Sequence, residues 1–441
     1  MIMSFKEIRL RYSSGFQNIE VPSNNIVAVA QARNLPVVAD FNFAVSNALD
    51  NPIGSERLER IVSPRSKVAI IIDDITRPTP TSKILPIILK RLFQYGVQKE
   101  KVNIVIATGA HTPYLEQVKV KVGENIPNNI CVHVHNCLNK KELELTGFSS
   151  SGTPVWVNRK VLEADVKIGV GGIKPHSWAG FGGGGKIIMP GVSSWEAIGR
   201  NHFLAASDEV RIGNIEGNLL RKDAEEVASK VGLDMIINVI LDDNGNLVDI
   251  VAGDMIKAHR RGVENVRRMF ENKIDEALDV MIWAFGPKDD NLWDVLTGGF
   301  IGAHKKLLKE GGTLILVAEC INGLYKYGQG HIDYSGKIAD YSKVIEMLKS
   351  GMSPQELLSE TIRGNMPYLE VGVKAYILAN LARKHEIIIV SENIKKEEIK
   401  WLGTTAKTAQ DALKQALERQ GRDAKIGIIP EFHASNAYIR I

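Results

Sequence analysis

The sequence predicts an α/β fold with two α/β domains, mostly parallel sheets and an active site in the interdomain cleft. Apolar runs of strand length recur along the chain, and several consist almost entirely of Val and Ile. Such runs are typical of strands buried on both faces of a parallel sheet. Amphipathic segments of helical length lie between them, and this alternation indicates an α/β protein.

The predicted elements follow one another along the chain. Strands are predicted over residues 67–73, 102–108, 130–135, 166–170, 281–285, 313–318, 387–390 and 425–429. Helices are predicted between them, for example over residues 82–94, 338–349 and 372–382. Residues 235–253 are predicted to form a hairpin instead, because two apolar runs flank the turn sequence Asp243-Asn244-Gly245.

The length of the chain bounds its domain organisation. A chain of 441 residues usually forms two or three domains. A long helical pattern over residues 255–277 is expected to connect them. We therefore predict an N-terminal domain over residues 1–275 and a C-terminal domain over residues 276–441.

The composition excludes several classes of protein. Hydrophobic residues make up 44% and charged residues 24%, which is the ordinary range of soluble globular proteins. The net charge of +4 is too small over this length to indicate a nucleic-acid partner. The basic stretch over residues 259–268 has helical spacing and indicates a solvated helix face. No apolar run approaches the ~18 residues that a membrane span needs.

The expected compartment is the cytoplasm. The three cysteines, Cys131, Cys137 and Cys320, do not suggest a disulfide framework. The first residues lack the apolar core of a signal peptide.

The most informative segment is residues 174–191, which read KPHSWAGFGGGGKIIMPG. A glycine run removes side chains, so a bulky ligand can lie directly on the backbone N–H groups. Lys186 ends the run as a nucleophilic or cationic group, and His176 is a candidate acid or base beside it. The segment therefore predicts a cofactor loop with a reactive lysine.

Two other interpretations of this segment fail. The spacing from Gly180 to Lys186 matches a phosphate-binding P-loop, but that motif needs Ser or Thr next and a helix beyond it. Ile187 follows instead, and Pro190 disfavours a regular helix. A flexible linker would be polar and rich in Ser, whereas Trp178 and a run of Ile and Met flank the glycines.

Three chemically rich loops follow predicted strands. They are residues 73–78 (DDITRP), residues 107–113 (ATGAHTP) and the glycine segment. Open α/β sheets bind ligands at the carboxyl ends of their strands. If the strands are parallel neighbours, one crevice holds Asp74, Arg77, His111, His176 and Lys186.

Individual residue types suggest roles in this crevice. The planar guanidinium of Arg77 suits a phosphate or a carboxylate. His111 lies in a loop at a strand end and not on an apolar face, which favours catalysis. His202 follows the glycine segment and is a plausible neutral imidazole ligand if the loop holds a metal-bearing cofactor.

A second group of residues gives an alternative function. His133, His135 and Cys137 alternate along a predicted strand and would point to one face, where they could hold zinc. This arrangement favours a zinc-dependent hydrolase. No acidic general base accompanies the trio, however, and a partly exposed sheet face also explains it.

Taken together, the three loops and Asn201-His202 resemble the nickel-dependent lactate racemase family. The resemblance covers most of the chain and is strongest over residues 73–78, 107–113 and 174–194. It implies an N-terminal domain that binds a cofactor and a C-terminal domain that contacts substrate.

The resemblance also implies a cofactor and a set of site residues. The cofactor is nickel held in a nickel-pincer nucleotide (pyridinium-3-thioamide-5-thiocarboxylic acid mononucleotide), covalently bound to Lys186. His202 matches the nickel ligand, and His111 and His176 match the two proton donors and acceptors. Cofactor contacts are implied for Asp74, Ile75, Thr76, Arg77, Gly182, Gly183, Gly184 and Gly185.

The reaction that the resemblance implies is inversion at C2 of a 2-hydroxy acid. A histidine removes the hydroxyl proton while hydride passes to the cofactor, and the 2-keto acid then accepts the hydride on either face. An acid or base is needed for each enantiomer, which explains two histidines. The implied partners are a small 2-hydroxy acid and the enzymes that synthesise the cofactor.

The substrate side departs from the family pattern. Beside Arg77, the family places a Gln and a Lys near the substrate, where this chain has Asp294 and Thr297. The loss of a cation and the gain of an aspartate disfavour lactate. Asp294 and Thr297 are good partners for additional hydroxyl groups, so we predict a longer, hydroxylated 2-hydroxy acid such as a sugar acid. Lys288 or Lys374 could restore the missing charge.

Overall fold

The computed structural model describes residues 4–124, 126–127, 129–287, 291–297, 305–325, 341–366, 368–432 and 435–441. These residues form a six-stranded sheet and an eight-stranded sheet with helices packed on them, together with three two-stranded sheets. The predicted α/β class is confirmed, because most pairings within the two large sheets are parallel.

The strands and helices alternate through most of the chain. The strands are β1 Phe5–Tyr12, β2 Gly15–Pro22, β3 Ile26–Val29, β4 Val68–Asp73, β5 Val102–Ala107, β6 Cys131–Val134, β7 Leu143–Phe148, β8 Pro154–Asn158, β9 Val166–Gly172, β10 Pro175–His176, β11 Gly180–Phe181, β12 Met235–Leu241, β13 Leu247–Gly253, β14 Glu271–Lys273, β15 Leu278–Phe285, β16 Leu308–Val317, β17 Glu386–Val390, β18 Thr404–Ala406, β19 Ile426–Phe432 and β20 Tyr438–Arg440. The helices are α1 Phe41–Asp50, α2 Leu58–Ile61, α3 Thr81–Gln94, α4 Gln117–Val122, α5 Arg159–Leu162, α6 Trp195–Phe203, α7 Leu219–Val231, α8 Lys257–Phe270, α9 Leu292–Thr297, α10 Ser342–Lys349, α11 Pro354–Ile362, α12 Leu369–Lys384 and α13 Ala409–Gln420.

The first sheet has the strand order β13-β12-β9-β4-β5-β6. Its central strand β4 has the sequence VAIIID, and every residue of it is buried. Ile70 faces Ile104 on one side and Ile168 on the other, so both neighbours of β4 run parallel to it. The predicted hairpin is also confirmed, because β12 and β13 pair in antiparallel fashion around the turn.

The second sheet contains β15 to β19 and also the first three strands of the chain. β1 pairs in parallel with β15, and β3 pairs in parallel with β19. The sequence predicted residues 1–275 as one domain, but β1 to β3 belong to the other sheet. The local sequence pattern carries no information about which distant strand β1 pairs with. We therefore propose that the second domain includes residues 5–29.

The chain consequently passes between the two sheets twice. The first passage follows β3, and the second follows α8, the helix predicted as a longer segment over residues 255–277. The two passages lie side by side, because the backbone N–H of Arg33 donates to the carbonyl of Met269 at 2.7 Å. The guanidinium of Arg33 also donates to the carbonyl of Glu271 at 2.7 Å.

Some sequence predictions fall partly outside the described residues. The helix predicted over residues 338–349 is found as α10, and its first three positions are not described. Lys288 also lies outside the described residues. Among the helices of the described ranges, none is long and apolar enough to cross a membrane.

Candidate active site

The three predicted loops meet at one edge of the first sheet. β4 lies between β5 and β9 and is parallel to both, so the carboxyl ends of the three strands are adjacent. A cavity of about 430 Å³ lies at this edge. It is lined by all six residues predicted to carry the chemistry: Asp74, Arg77, His111, His176, Lys186 and His202.

Residues of the second half of the chain close the other side of this cavity. Thr297 from α9, Glu370 and Lys374 from α12, and Asn436 before β20 line it. The predicted cleft position is therefore confirmed for these residues. Asp294 is not among the described lining residues, and its carboxylate instead accepts a hydrogen bond from Asn291 Nδ2 at 2.6 Å.

A buried ion pair fixes the loop after β4. Lys121 Nζ donates to Asp73 Oδ1 at 2.7 Å and to the carbonyl of Thr79 at 3.0 Å. Lys121 Nζ also lies 3.2 Å from the carbonyl of Arg77. Burial raises the pKa of Asp73 despite the nearby Lys121 ammonium. Lys121 thus holds the loop that carries Arg77, a role that sequence analysis missed because the lysine resembles an exposed helix residue.

His111 is supported by a carboxylate. Its Nδ1 lies 2.6 Å from Asp74 Oδ2, and Thr76 Oγ1 donates to Asp74 Oδ1 at 2.6 Å. Burial raises the pKa of Asp74, but hydrogen bonds from His111 and Thr76 and the charge of Arg77 outweigh it and hold the pKa below its ordinary value. An ionised Asp74 favours the tautomer with the proton on Nδ1, which leaves the lone pair on Nε2.

His176 has the opposite support. Its Nδ1 accepts hydrogen bonds from the backbone N–H groups of Trp178 and Ala179, each at 3.2 Å. Burial, followed by the charges of Lys186 and Arg77, holds the pKa of His176 well below its ordinary value. The ring is therefore neutral with its proton on Nε2, so the two histidines present different groups at Nε2.

Lys186 lies in a short 3₁₀ turn over Gly184–Ile187. Burial, followed by the charges of Arg221 and Arg77, holds the pKa of Lys186 well below its ordinary value. A neutral amine is a nucleophile, whereas an ammonium is not. The lowered pKa favours the nucleophilic form of the Lys186 side chain.

The glycine run is required by packing inside the protein. A Cβ on Gly183 would lie 2.6 Å from Asn238 Oδ1, and a Cβ on Gly185 would lie 3.1 Å from the Cβ of Ala228. Gly184 N donates to Asn238 Oδ1 at 2.8 Å. The sequence predicted four glycines exposed to a ligand, but of the run only Gly182 and Gly183 are among the described residues that line the cavity.

Two residues that sequence analysis missed hold the carbonyls of this loop. Arg221 is fully buried and donates to the carbonyls of Ala179, Phe181 and Gly183. His259 Nε2 donates to the carbonyl of Gly182 at 2.8 Å. Burial lowers the pKa of Arg221 to about 10, so the side chain keeps its charge at neutral pH.

The prediction of a solvated face over residues 259–268 is wrong for its first residues. His259 is buried, and Arg260 makes two hydrogen bonds of 2.8 Å to the carboxylate of Glu225. Arg261 is solvated as predicted. The sequence carries no signal for the pair of Arg260 and Glu225, because this pair joins two different helices, α8 and α7.

His202 is connected to the second half of the chain. Its Nδ1 lies 3.1 Å from Glu370 Oε2, and Lys374 Nζ lies 2.8 Å from Glu370 Oε1. The edge of the His202 ring packs against Trp178, with ring centroids 5.2 Å apart. Burial raises the pKa of Glu370, but Lys374 and His202 hold it well below its ordinary value. A carboxylate on Nδ1 fixes an imidazole with Nε2 available as a metal ligand.

The alternative zinc trio does not form a site. β6 ends at Val134, so His133, His135 and Cys137 do not share one strand face. His135 is fully buried and bound to the carbonyl of Ser193 at 3.0 Å, and burial raises the pKa of the Cys137 thiol to about 12. Within the described ranges, no group of three or more His, Cys, Asp or Glu side chains could hold a metal ion.

A cleft between two α/β sheets, with a partly buried lysine and three histidines in one cavity, has the composition of an enzyme site. Two family models match the chain: the lactate racemase N-terminal domain over residues 12–213 and the lactate racemase C-terminal domain over residues 274–434. The chain belongs to the lactate racemase family, as the sequence motifs predicted. This relation supports a racemase, which is an isomerase.

Individual relatives extend over almost the whole chain. It is 31% identical over 433 residues to lactate racemase of Thermoanaerobacterium thermosaccharolyticum, which covers 96% of this chain and 97% of that protein. It is 33% identical over 396 residues to lactate racemase of Lactiplantibacillus plantarum, with 88% of each chain covered. The structure of the Thermoanaerobacterium apoprotein superposes with a TM-score of 0.80 at 29% identity and covers 99% of this chain and 100% of that one.

His135 is expected to make the stability of the protein depend on pH. Burial lowers its pKa from 6.5 to about 4, so between these values the unfolded chain binds more protons. Its contribution is fully present above pH 6.5 and is lost as the pH falls towards 4, a difference on the order of 3 kcal/mol.

Urea unfolding of wild type and His135→Gln at a series of pH values measures this effect. The free energy of unfolding of the variant should fall less steeply between pH 6.5 and 4. His133→Gln is the control, since His133 is only partly buried. Equal slopes for wild type and His135→Gln would show that His135 is not the titrating group, and stabilisation by one equivalent of zinc would revive the zinc site.

Proposed function

We propose that this protein is a racemase or epimerase that inverts C2 of a 2-hydroxy acid, with a nickel-pincer nucleotide on Lys186. The observation that carries the proposal is the position of Lys186 in one cavity with His111, His176 and His202. Family membership supports the same assignment.

The residues of the cavity fit covalent attachment of a nucleotide cofactor. Burial and nearby cations lower the pKa of the Lys186 amine well below its ordinary value, which favours the nucleophilic form that an acyl or thioacyl linkage requires. Arg77 and Lys174 line the same cavity and can balance the charge of a phosphate. Gly182 and Gly183 present backbone without side chains to the cavity.

The donor set fits a metal whose remaining ligands come from the cofactor. Among the described residues, no cluster of three potential ligands surrounds His202. If the nickel-pincer nucleotide is bound, His202 would supply an imidazole ligand to its nickel ion. Glu370 fixes the imidazole from behind, in the manner of carboxylate–histidine–metal sites.

The chain's own residues position the substrate and move its hydroxyl proton. Asp74 can accept a hydrogen bond from His111 Nδ1–H, and this tautomer of the ring has its lone pair on Nε2. His111 is therefore placed to accept the hydroxyl proton of one enantiomer. His176 presents an Nε2–H, which can donate a hydrogen bond to the oxygen of the substrate. When bound, the cofactor supplies a hydride acceptor, so no carbanion has to form at C2.

The proposed substrate is a 2-hydroxy acid other than lactate. Thr297 and Asn436 add a hydroxyl and an amide to the lining of the cavity, and these groups suit additional substrate hydroxyls. The proposed substrate class does not depend on Asp294, because its carboxylate is bound to Asn291. We therefore propose a longer, hydroxylated 2-hydroxy acid, such as a sugar acid. Maturation requires the enzymes that synthesise the cofactor.

Lys186 is expected to carry the cofactor covalently. Peptide mass mapping of active enzyme, coexpressed with the cofactor-synthesis enzymes, should find the adduct on the peptide that contains Lys186. Lys186→Ala should lack both the adduct and activity. Lys384→Ala, an exposed lysine elsewhere, is the control. An active Lys186→Ala protein that still carries the adduct would contradict the assignment.

His111 and His176 are expected to act as a pair. Each alanine variant should lose at least ~10²-fold in turnover, the lower end for a positioned proton donor or acceptor. The equilibrium constant fixes the ratio of kcat/KM in the two directions, so both directions should slow together. His202→Ala should instead lose nickel on gel filtration. If either His111→Ala or His176→Ala turns over at nearly the wild-type rate, the paired scheme is wrong.

A comparison of substrates tests the proposed specificity. The values of kcat/KM for lactate, malate, an aryl-lactate and gluconate should place gluconate first, because Thr297 and Asn436 add a hydroxyl and an amide to the lining of the cavity. All four acids share the reacting C2 centre, so each serves as a control for the others. A clear preference for lactate would refute the proposed substrate class while leaving the reaction in place.

A further inference from the structure

Glu370 and Lys374 form an ion pair on the wall of the cavity that the second half of the chain supplies. They lie one turn apart on α12, with Lys374 Nζ 2.8 Å from Glu370 Oε1. Both are among the residues that line the cavity. The sequence did not predict Glu370 as a site residue. For Lys374 it indicated only that this lysine could restore the positive charge missing near the substrate.

Glu370 is occupied on both of its oxygens. Oε2 accepts from His202 Nδ1 at 3.1 Å, and Oε1 accepts from Lys374. A carboxylate that is held by two donors is not placed to act as an acid or base. It instead joins the imidazole and the ammonium in one rigid arrangement.

Lys374 has donors left for a ligand. An ammonium has three N–H donors, and one of them is directed at Glu370. The Lys374 side chain is 20% exposed, and its Nζ lies 5.9 Å from the centre of the Trp178 ring. The neighbouring indole shields the ammonium from part of the solvent, which strengthens its attraction for an anion.

A 2-hydroxy acid brings a carboxylate into this cavity, and a desolvated carboxylate needs a positive partner. The proposed function assigns Lys186 to the cofactor, so it is not free to pair with the substrate. Arg77 lies in the loop after β4, on the wall that the first sheet supplies. Lys374 is therefore the cation that the opposite wall offers, among the residues described there.

We propose that Lys374 binds the carboxylate of the substrate and that Glu370 positions Lys374 and His202 relative to each other. This inference rests on the proposed function and assigns the carboxylate to the side of the cavity where His202 lies. It makes α12 the determinant of selectivity for acids over their uncharged analogues.

The test compares acids with their amides on enzyme matured with its cofactor. Racemic lactate with lactamide, and gluconate with gluconamide, are titrated by calorimetry into wild type, Lys374→Met and Lys374→Arg. Wild type should prefer each acid by about 10²-fold, and Lys374→Met should lose this preference, as expected when one partner of a desolvated charge pair is removed. Lys374→Arg should retain it, because the charge remains.

Two further variants separate the roles within the pair. Lys384→Met changes an exposed lysine at the end of the same helix and should keep the preference for acids. Glu370→Gln should keep Lys374 and its preference but retain nickel ~10- to 100-fold less tightly, the usual cost of removing a ligand's carboxylate partner.

Each result decides between distinct conclusions. If wild type prefers acids and Lys374→Met still does, Lys374 is not the anchor, although the proposed function stands. If Glu370→Gln retains nickel as wild type does, Glu370 does not position His202. If wild type binds neither the acids nor the amides, both the anchor and the proposed function fail.

Discussion

The site depends on Arg221, a fully buried cation beneath the glycine loop. Its guanidinium donates to carbonyls of Ala179, Phe181 and Gly183, so it sets the path of the backbone between His176 and Lys186. After burial itself, its charge is the largest cause that lowers the pKa of the Lys186 amine. Glu225 lies 3.6 Å from Arg221 and balances part of this charge inside the protein. One interaction thus determines both the shape and the reactivity of the loop.

The histidines show how identical side chains acquire different properties from their surroundings. His111 is backed by a carboxylate, His176 by two backbone N–H groups, and His202 by a carboxylate that a lysine neutralises. Each backing group fixes a tautomer and therefore determines what Nε2 offers to the cavity. Under the proposed function, the site would obtain a proton acceptor, a hydrogen-bond donor and a metal ligand from three copies of one residue type.

Sequence analysis predicted the parts of the molecule that local pattern determines. The Val- and Ile-rich strands and the glycine loop were found, since burial on both faces and a requirement for missing side chains leave strong signals. Lys121, Arg221 and Glu370 were missed, because a single charged residue on a helix has the same pattern whether it faces water or a distant partner. The sheet that β1 joins was missed for a related reason, because pairing over more than 260 residues leaves no local trace.

The double passage of the chain between the two sheets has a mechanical consequence. The segments at Arg33 and Met269 are hydrogen-bonded to each other, so any change in the angle between the sheets bends both at one place. Two adjacent segments joined in this way would restrict the relative motion of the two sheets. Opening of the cleft would then separate α12 from the glycine loop along one path and return Lys374 to the same position each time.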